Sequence, residues 1–258
     1  MLNYFATTSA AERYARARPY FHPLVIQKIN AFLHLCEPLS LALDVACGTG
    51  MSTQAVHAIS RFVVGADVSA AMLAHAPQAP SFAYCVAPAE WLPLRDDSVD
   101  LLTVSSGFHW FERGQFLREA QRVLHRQGYL VIYDNAFGGT MLENPAFRRW
   151  LDEVSLRRYP TPARDWRPFS AADALRAGFD WLGDERYENV VRFPREVLAD
   201  YLTTQSNVTA VVEGGRERIE DVQRWFADEL KAMYIAHRQP IEMGSFVFNG
   251  PIWYLQRL

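Results

Sequence analysis

The sequence predicts an α/β chain built on a doubly wound, mostly parallel sheet. Two observations carry this prediction. Short apolar runs alternate with helical stretches between residues 41 and 133, and the first run ends in a glycine turn that opens a helix. Strands alternating with helices in this way pack as a parallel sheet covered on both faces. Ligands of such sheets bind outside the strand carboxyl ends, where the strand order reverses.

The elements follow in order. Leu41-Ala-Leu-Asp44-Val45 reads as the first strand, Ala46-Cys47-Gly48-Thr49-Gly50 as a tight turn, and Met51 onward as a helix. Glycines there let the backbone approach a ligand, and the helix points its unpaired N–H groups at the same place. The arrangement is a cradle for a nucleotide-like molecule. Dinucleotide-binding loops carry a third glycine, and Thr53 stands at that position here. This speaks against a nicotinamide-dependent oxidoreductase, the rival the turn alone leaves open.

Arg61–Asp67 is a second apolar run, ending in an acid 17 positions after Gly50. An acid at that distance can accept hydrogen bonds from both hydroxyls of a ribose. Val68 follows, and Ser69 is placed to cap a helix that carries Met72. Phe82–Val86 reads as a third strand, and the segment Ala87-Pro88-Ala89-Glu90-Trp91 leaves it. A turn at Asp96-Asp97 leads into a fourth strand that ends near Val104. A helix over 115–126 shows an apolar stripe at Phe116, Ala120, Val123 and Leu124, and Gln127-Gly128 turns into a fifth strand ending at Tyr133. Gly48, Asp67, Ala89 and Ser105 all fall at strand carboxyl ends and converge on one crevice.

Asp44 with Ala46-Cys47-Gly48-Thr49-Gly50 resembles motif I of the class I S-adenosylmethionine-dependent methyltransferases, D-[VIL]-x-[CG]-G-T-G. Within that class the chain is similar to the type 11 group, and there to the trans-aconitate methyltransferase-like proteins. The residues that carry the likeness are Ala87-Pro-Ala-Glu-Trp-Leu-Pro93, Asp97-Ser-Val-Asp100, Phe108-His109-Trp110-Phe111 and Arg118-Glu-Ala-Gln-Arg-Val-Leu124. The likeness covers roughly 41–134, is fainter at Phe5, Tyr14 and Arg18-Pro19-Tyr20, and is poor from 137 to 240. It departs at Pro88, where many class members place an Asp for the adenine amino group; adenine recognition would then fall to backbone near Ala89, with Glu90 and the flank of Trp91.

The resemblance implies a Rossmann-like, seven-stranded sheet with a helical cap over the strand carboxyl ends. It also implies S-adenosyl-L-methionine as cofactor, with S-adenosyl-L-homocysteine as product. Cofactor contacts are expected from Asp44, Ala46, Cys47, Gly48, Thr49, Gly50, Asp67, Val68, Met72, Ala89, Glu90 and Ser105. Cys47 reads as a small packing residue within the loop.

Outside the core, residues 1–35 read as aromatic helices, and Gly138-Gly139 as a hinge-like break. A helix follows over Phe147–Arg158, then the rigid link 159–168 and a helix over Ala171–Ala177 that ends at Gly178. The run 185–193 alternates as a sixth strand, 194–204 and 217–236 read as helices, and 242–256 as a last strand pairing with the sixth. The organisation expected is one domain, with a core over about 36–136 and 183–258 and a cap from 1–35 and 137–182.

A sulfonium donor is already activated, so transfer needs alignment and exclusion of water more than acid–base machinery. Holding donor and nucleophile in line supplies about 7–11 kcal/mol of such barriers. A carboxylate nucleophile needs no base, whereas a hydroxyl or amine gains from one, and His109 past the fourth strand is the candidate. The competing reading of His109 and Trp110 is a packed aromatic pair that supports the loop. Tyr14, Arg18 and Tyr20 are expected either as a lid contacting the methionine carboxylate or the substrate, the latter with His109 and Trp110, or packing the N-terminal helix. Arg157, Arg158, Arg164 and Arg167 are expected either to clamp a substrate carboxylate or to lie on a solvated helix face.

The bulk properties fit a small-molecule enzyme. Of 258 residues, 26 are basic and 29 acidic, giving a net charge of −3 with no Lys/Arg-rich run, which disfavours nucleic acid as partner. Three scattered cysteines, Cys36, Cys47 and Cys85, propose neither a disulfide framework nor a metal site. No apolar run reaches the ~18 residues of a membrane span, and the sequon Asn207-Val-Thr209 reads as chance. The expectation is a cytoplasmic methyltransferase, monomer or homodimer, acting on a small-molecule acceptor. O-methylation of a carboxylate follows from the likeness. A hydroxyl, amine or carbon of a secondary metabolite, or a non-catalytic S-adenosylmethionine-binding role, stands beside it.

Overall fold

The computed structural model describes residues 4–165, 167–236 and 239–258. Its main sheet contains β1 (Leu39–Val45), β2 (Ser60–Asp67), β3 (Phe82–Val86), β4 (Val99–Ser105), β5 (Leu124–Tyr133), β6 (Ala136–Met141), β7 (Phe179–Phe193) and β10 (Gly244–Arg257). A separate two-residue ladder joins β8 (Ile235–Ala236) to β9 (Gln239–Pro240). The main order is β3-β2-β1-β4-β5-β10-β6, with β7 on the other side of β10. The first five strands are mutually parallel, and β10 runs antiparallel to β5, β6 and β7. The order reverses between β1 and β4, so the crevice expected of a doubly wound sheet lies beyond Val45 and Ser105.

The doubly wound, mostly parallel fold is the one the sequence predicts, with eight strands in place of seven. The added strand is β6, which occupies the Gly138-Gly139 segment that reads as a hinge. Its backbone pairs with β10 through Thr140–Val247 and Phe137–Phe248, beside a register shift between Val247 and Phe248. Glycine is tolerated in a strand at such irregularities. The sixth expected strand also begins earlier, at Phe179, and pairs with the last strand as expected along fourteen registered positions.

Local chemistry explains the helices that matter to the crevice. Ser69 Oγ accepts from Met72 N at 3.2 Å and caps α4 (Ala70–Leu73) as its position predicts. Helix α5 (Arg113–Val123) starts where the Glu112 carboxylate accepts from Gly114 N and Gln115 N. Its stripe of Phe116, Leu117, Ala120 and Val123 packs on one sheet face with Leu43, Leu102, Val104 and Leu130. On the other face α2 (His22–Phe32) lays Val25, Ile26 and Ile29 against Ala42, Val63, Leu101 and Val131. Burying each such side chain contributes about 1.5–3 kcal/mol.

A further cluster lies over the strand carboxyl ends. The continuous helical stretch 146–158 packs with α9 (Arg195–Thr203), α10 (Ser206–Glu213) and α11 (Ile219–Met233) around Phe147, Trp150, Leu202 and Phe226. Phe246 and Phe248 of β10 join this cluster from the sheet. Helix α1 (Thr8–Ala17) is tied to the same group by the Arg13–Glu213 ion pair at 2.7 Å.

Candidate active site

The glycine turn is built from below. Asp44 is fully buried, and its oxygens accept from Ser52 Oγ at 2.6 Å, Thr53 Oγ1 at 2.8 Å and Thr103 Oγ1 at 2.9 Å. Burial pushes its carboxyl up to about 6, against the pull of those three hydroxyls. Asp44 therefore clamps the start of α3 (Met51–Val56) to β1 and β4, and it lines none of the three cavities described below. Thr53, the residue in the third-glycine position, serves this clamp.

Above it the turn leaves the L-residue backbone regions at Ala46, Gly48 and Gly50, with φ of +56°, +55° and +73°. Gly50 N–H closes the turn onto Cys47 O at 2.9 Å. Gly50 faces away from the crevice, and Cys47 is buried, with its thiol pushed up by burial and by the nearby acids, which disfavours the thiolate. Gly48 N–H instead donates to Asp67 Oδ2 at 2.8 Å, while Asp67 Oδ1 accepts from Ser69 N at 2.8 Å. Burial raises the Asp67 carboxyl, and the N–H donors of Ser69, Gly48 and Val68 oppose the rise.

A cleft of about 370 Å³ opens from these residues, within the range of small-ligand sites. Gly48, Asp67, Val68 and Met72 form one wall, Pro88, Ala89 and Glu90 another, and Tyr14, Ser105 and Trp110 the end. Ala46, Cys47, Thr49 and Ser105 also line a narrow extension under Tyr14 and Arg18. The wall at 87–94 is held by the helix behind it. Glu119 Oε1 accepts from Leu92 N at 2.7 Å, and Arg122 donates to Leu92 O and Leu94 O at 2.9 and 2.8 Å. Glu90 Oε1 accepts from Glu112 N at 2.8 Å.

A second cavity, of about 360 Å³, adjoins the first under α9 and α10. Phe5, Tyr14, Ser106 and Trp110 line both. Its polar lining includes Arg18, His109, Asp134, Arg164, Gln205 and Ser206, and its apolar lining includes Phe137, Leu151, Leu156, Leu202 and Phe226. The link 159–168 brings Arg164 here because Arg113 donates to Asp165 O and Arg167 O, both at 2.7 Å, and Asp165 N donates to His109 O at 3.2 Å. The Arg164 guanidinium lies 4.6 Å from the Trp110 ring and bonds Ser206 Oγ.

His109 Nε2 lies 3.3 Å from Arg164 Nη1, and a guanidinium only donates, so the imidazole is the acceptor. Burial, and then the charges of Arg164 and Arg113, pull His109 down to about 4. It is neutral at pH 7 and a weak base, well suited to orienting Arg164.

The remaining predicted residues divide. Tyr14 and Arg18 reach the cavities, whereas Tyr20 is 48% exposed and lines none of them. Of the four cap arginines only Arg164 enters, while Arg158 pairs with Glu217 and Arg167 with Asp165. Asn207 of the sequon is buried and donates to Tyr159 O at 2.7 Å. Sequence reading missed Ser106, Asp134, Tyr201 and Gln205. For Ser106 and Asp134 a signal was available, since each directly follows a parallel strand.

Residues 43–132 match the family model described as "Methyltransferase domain", the type 11 family. The chain is 30% identical over 125 residues to a protein of Dictyostelium discoideum named as a methyltransferase, covering 48% of this chain and 47% of that one. It is 34% identical over 116 residues to a malonyl-[acyl-carrier protein] O-methyltransferase of Methylococcus capsulatus, covering 42% of each. The chain thus spans about half the length of these curated relatives. A solved structure from Anaeromyxobacter dehalogenans, described as a type II methyltransferase, superposes with a TM-score of 0.69 at 23% identity, over 92% of this chain and 97% of that one. Residues 43–132 are thus similar to a methyltransferase domain, the kind of domain whose methyl donor the sequence resemblance gives as S-adenosylmethionine.

The residues present fit that donor. Asp67 offers a buried carboxylate with lone pairs beyond those its N–H donors use. Gly48 leaves room for a ligand against the backbone, where an added Cβ would sit 3.1 Å from Met72 Cε. Thr49 Oγ1 is buried without a hydrogen-bond partner beside the narrow extension.

Proposed function

We propose that this chain transfers a methyl group from S-adenosylmethionine to a small-molecule acceptor that carries a negative charge. The observation that carries this reading is the pair of adjoining cavities, one lined by the glycine turn and Asp67, the other by Arg18 and Arg164, with Tyr14, Ser106 and Trp110 between them. When bound, the donor supplies an electrophilic methyl carbon on a sulfonium.

The chain's own residues supply the rest. Asp67 accepts from the donor's ribose, and Ala87-Pro88-Ala89 with Val68 and Met72 flank the adenine. The turn at Ala46–Thr49 and the extension beneath Tyr14 and Arg18 take the methionine end. Arg18 and Arg164 bind the acceptor's anionic group, and the Arg fork suits a carboxylate. Helices α1, α9 and α10 exclude water, so that alignment does most of the chemistry.

Two acceptor atoms fit this site. A carboxylate oxygen, expected from the likeness to the trans-aconitate methyltransferase-like group, would need no base. A hydroxyl or amine would need one. The likeness to a malonyl-[acyl-carrier protein] O-methyltransferase supports oxygen. Incubation with tritiated-methyl S-adenosylmethionine and a metabolite extract tests the proposal: label appears in an acidic small molecule. Stabilisation of the protein by NAD(H) but not by S-adenosylhomocysteine would sink it.

A further inference from the structure

Asp134 is the one carboxylate among the described residues that line the second cavity. It follows β5 directly and sits beside Ser106, the residue that follows β4 and borders both cavities. Its backbone is fixed on two sides: Asp134 N donates to Pro251 O at 3.2 Å, and Asp134 O accepts from Tyr187 Oη at 2.8 Å. Ser106 and Arg164 line the same cavity, and the positive charge of Arg164 favours the Asp134 anion. A carboxylate is thus held by strand ends, rather than by a loose loop, in the acceptor compartment, 28 positions along the chain from Ser106, which borders both compartments.

Resting on the methyltransferase reading above, we propose that Asp134 is the general base of this site, and that the methylated atom is a protic nucleophile, the oxygen of a hydroxyl or the nitrogen of a neutral amine on an acidic acceptor. A substrate carboxylate as nucleophile would bring a second negative charge against Asp134 in a desolvated pocket, an arrangement in which one of the two must give up its ionisation. The acceptor's own negative charge belongs with Arg18 and Arg164, elsewhere on the same lining. There Gln205 Nε2 and Arg18 Nε are buried donors without a hydrogen-bond partner, and both residues line the cavity.

His109 does not compete for the proton, because its Nε2 is engaged by Arg164. Burial also raises the Asp134 carboxyl, which makes its anion a stronger base than a solvated aspartate. In the step itself, the acceptor oxygen or nitrogen forms its bond to the methyl carbon as the methyl–sulfur bond breaks with its electron pair to sulfur. The nucleophile's proton passes to an Asp134 oxygen and later leaves to solvent.

The test uses the whole protein, tritiated-methyl S-adenosylmethionine, a metabolite extract, and acids offered in pairs, such as hydroxyoctanoate against octanoate and hydroxyphenylacetate against phenylacetate. Methyl esters release volatile label in alkali, whereas ethers and methylamines keep it. The expected result is alkali-stable label, with transfer by Asp134→Asn lowered by about 100-fold or more. Asp134→Glu recovers part of the loss, and both variants keep the wild-type stabilisation by S-adenosylhomocysteine. Alkali-labile label, or an Asp134→Asn rate within threefold of wild type, overturns the proposal. No label in any acceptor overturns the methyltransferase reading itself, and this proposal with it.

Discussion

The amide of Gly48 donates to the Asp67 carboxylate across 2.8 Å, so the glycine turn and the acid of the second strand are one device. The strand acid and the turn fix each other, and under the proposed function that carboxylate accepts from a ribose. Replacing Asp67 with Ala removes both at once. Affinity for S-adenosylhomocysteine is expected to fall about 10–100-fold, the scale of hydrogen bonds to a charged group. Calorimetric titration measures it, with circular dichroism reporting the fold. An unchanged dissociation constant would remove Asp67 from the site.

Gly50 marks the other side of the same turn. With φ at +73°, an added Cβ would lie 2.8 Å from Pro77 Cδ and 3.0 Å from Ala76 Cβ. Gly50→Ala is therefore expected to destabilise the protein by about 1–3 kcal/mol. Its urea midpoint should shift down with little change in slope; a midpoint equal to wild type contradicts the close packing.

His22 gives a pH signature. It is buried at the start of α2, with Nδ1 3.0 Å from Tyr133 Oη, and burial pulls it from 6.5 to about 3. The folded protein holds it neutral where the unfolded chain would protonate it. This contribution is full above 6.5 and is lost as pH falls toward 3. The stability difference between wild type and His22→Gln should shrink by about 2–3 kcal/mol between pH 7.5 and 4.5. Urea unfolding at the two pH values measures it, and a constant gap would refute the buried neutral imidazole.

Arg164 separates acceptor binding from donor binding. Arg164→Ala should raise the KM of the labelled acceptor about tenfold or more and leave S-adenosylhomocysteine affinity unchanged. Arg164→Lys should recover little, because a single ammonium cannot reproduce the fork or its stacking on Trp110. Equal losses at both ligands would show that the link 159–168 had merely collapsed.

The parallel half of the sheet was legible because each strand is a compact apolar run followed by turn chemistry, and the place of Asp67 on the cleft was legible because strand carboxyl ends of such a sheet face the crevice. Asp44 misled, since an acid before a glycine turn reads as a ligand contact whether it sits above the turn or, as here, beneath it among three hydroxyls. Gly138-Gly139 read as a hinge because its strand character comes from pairing with β10, over a hundred residues away. Helix α10, Ser-Asn-Val-Thr-Ala-Val-Val-Glu, carries three valines and a threonine and has weak intrinsic helix preference, so only its packing against the cap explains it. Tyr14 and Tyr20 are near in sequence, yet only Tyr14 lies on the face of α1 that meets the crevice.

Strand β10 contributes Phe246 and Phe248 to the cap, Ile252 and Tyr254 to one face of the sheet and Leu255 to the other. The last strand laid down in the chain is therefore the common spine of all three cores. Changes of specificity are open to evolution by exchanging cavity-facing side chains on α9 and α10 one at a time. Grafting a whole cap from a relative is closed to it, unless half of the sheet travels along.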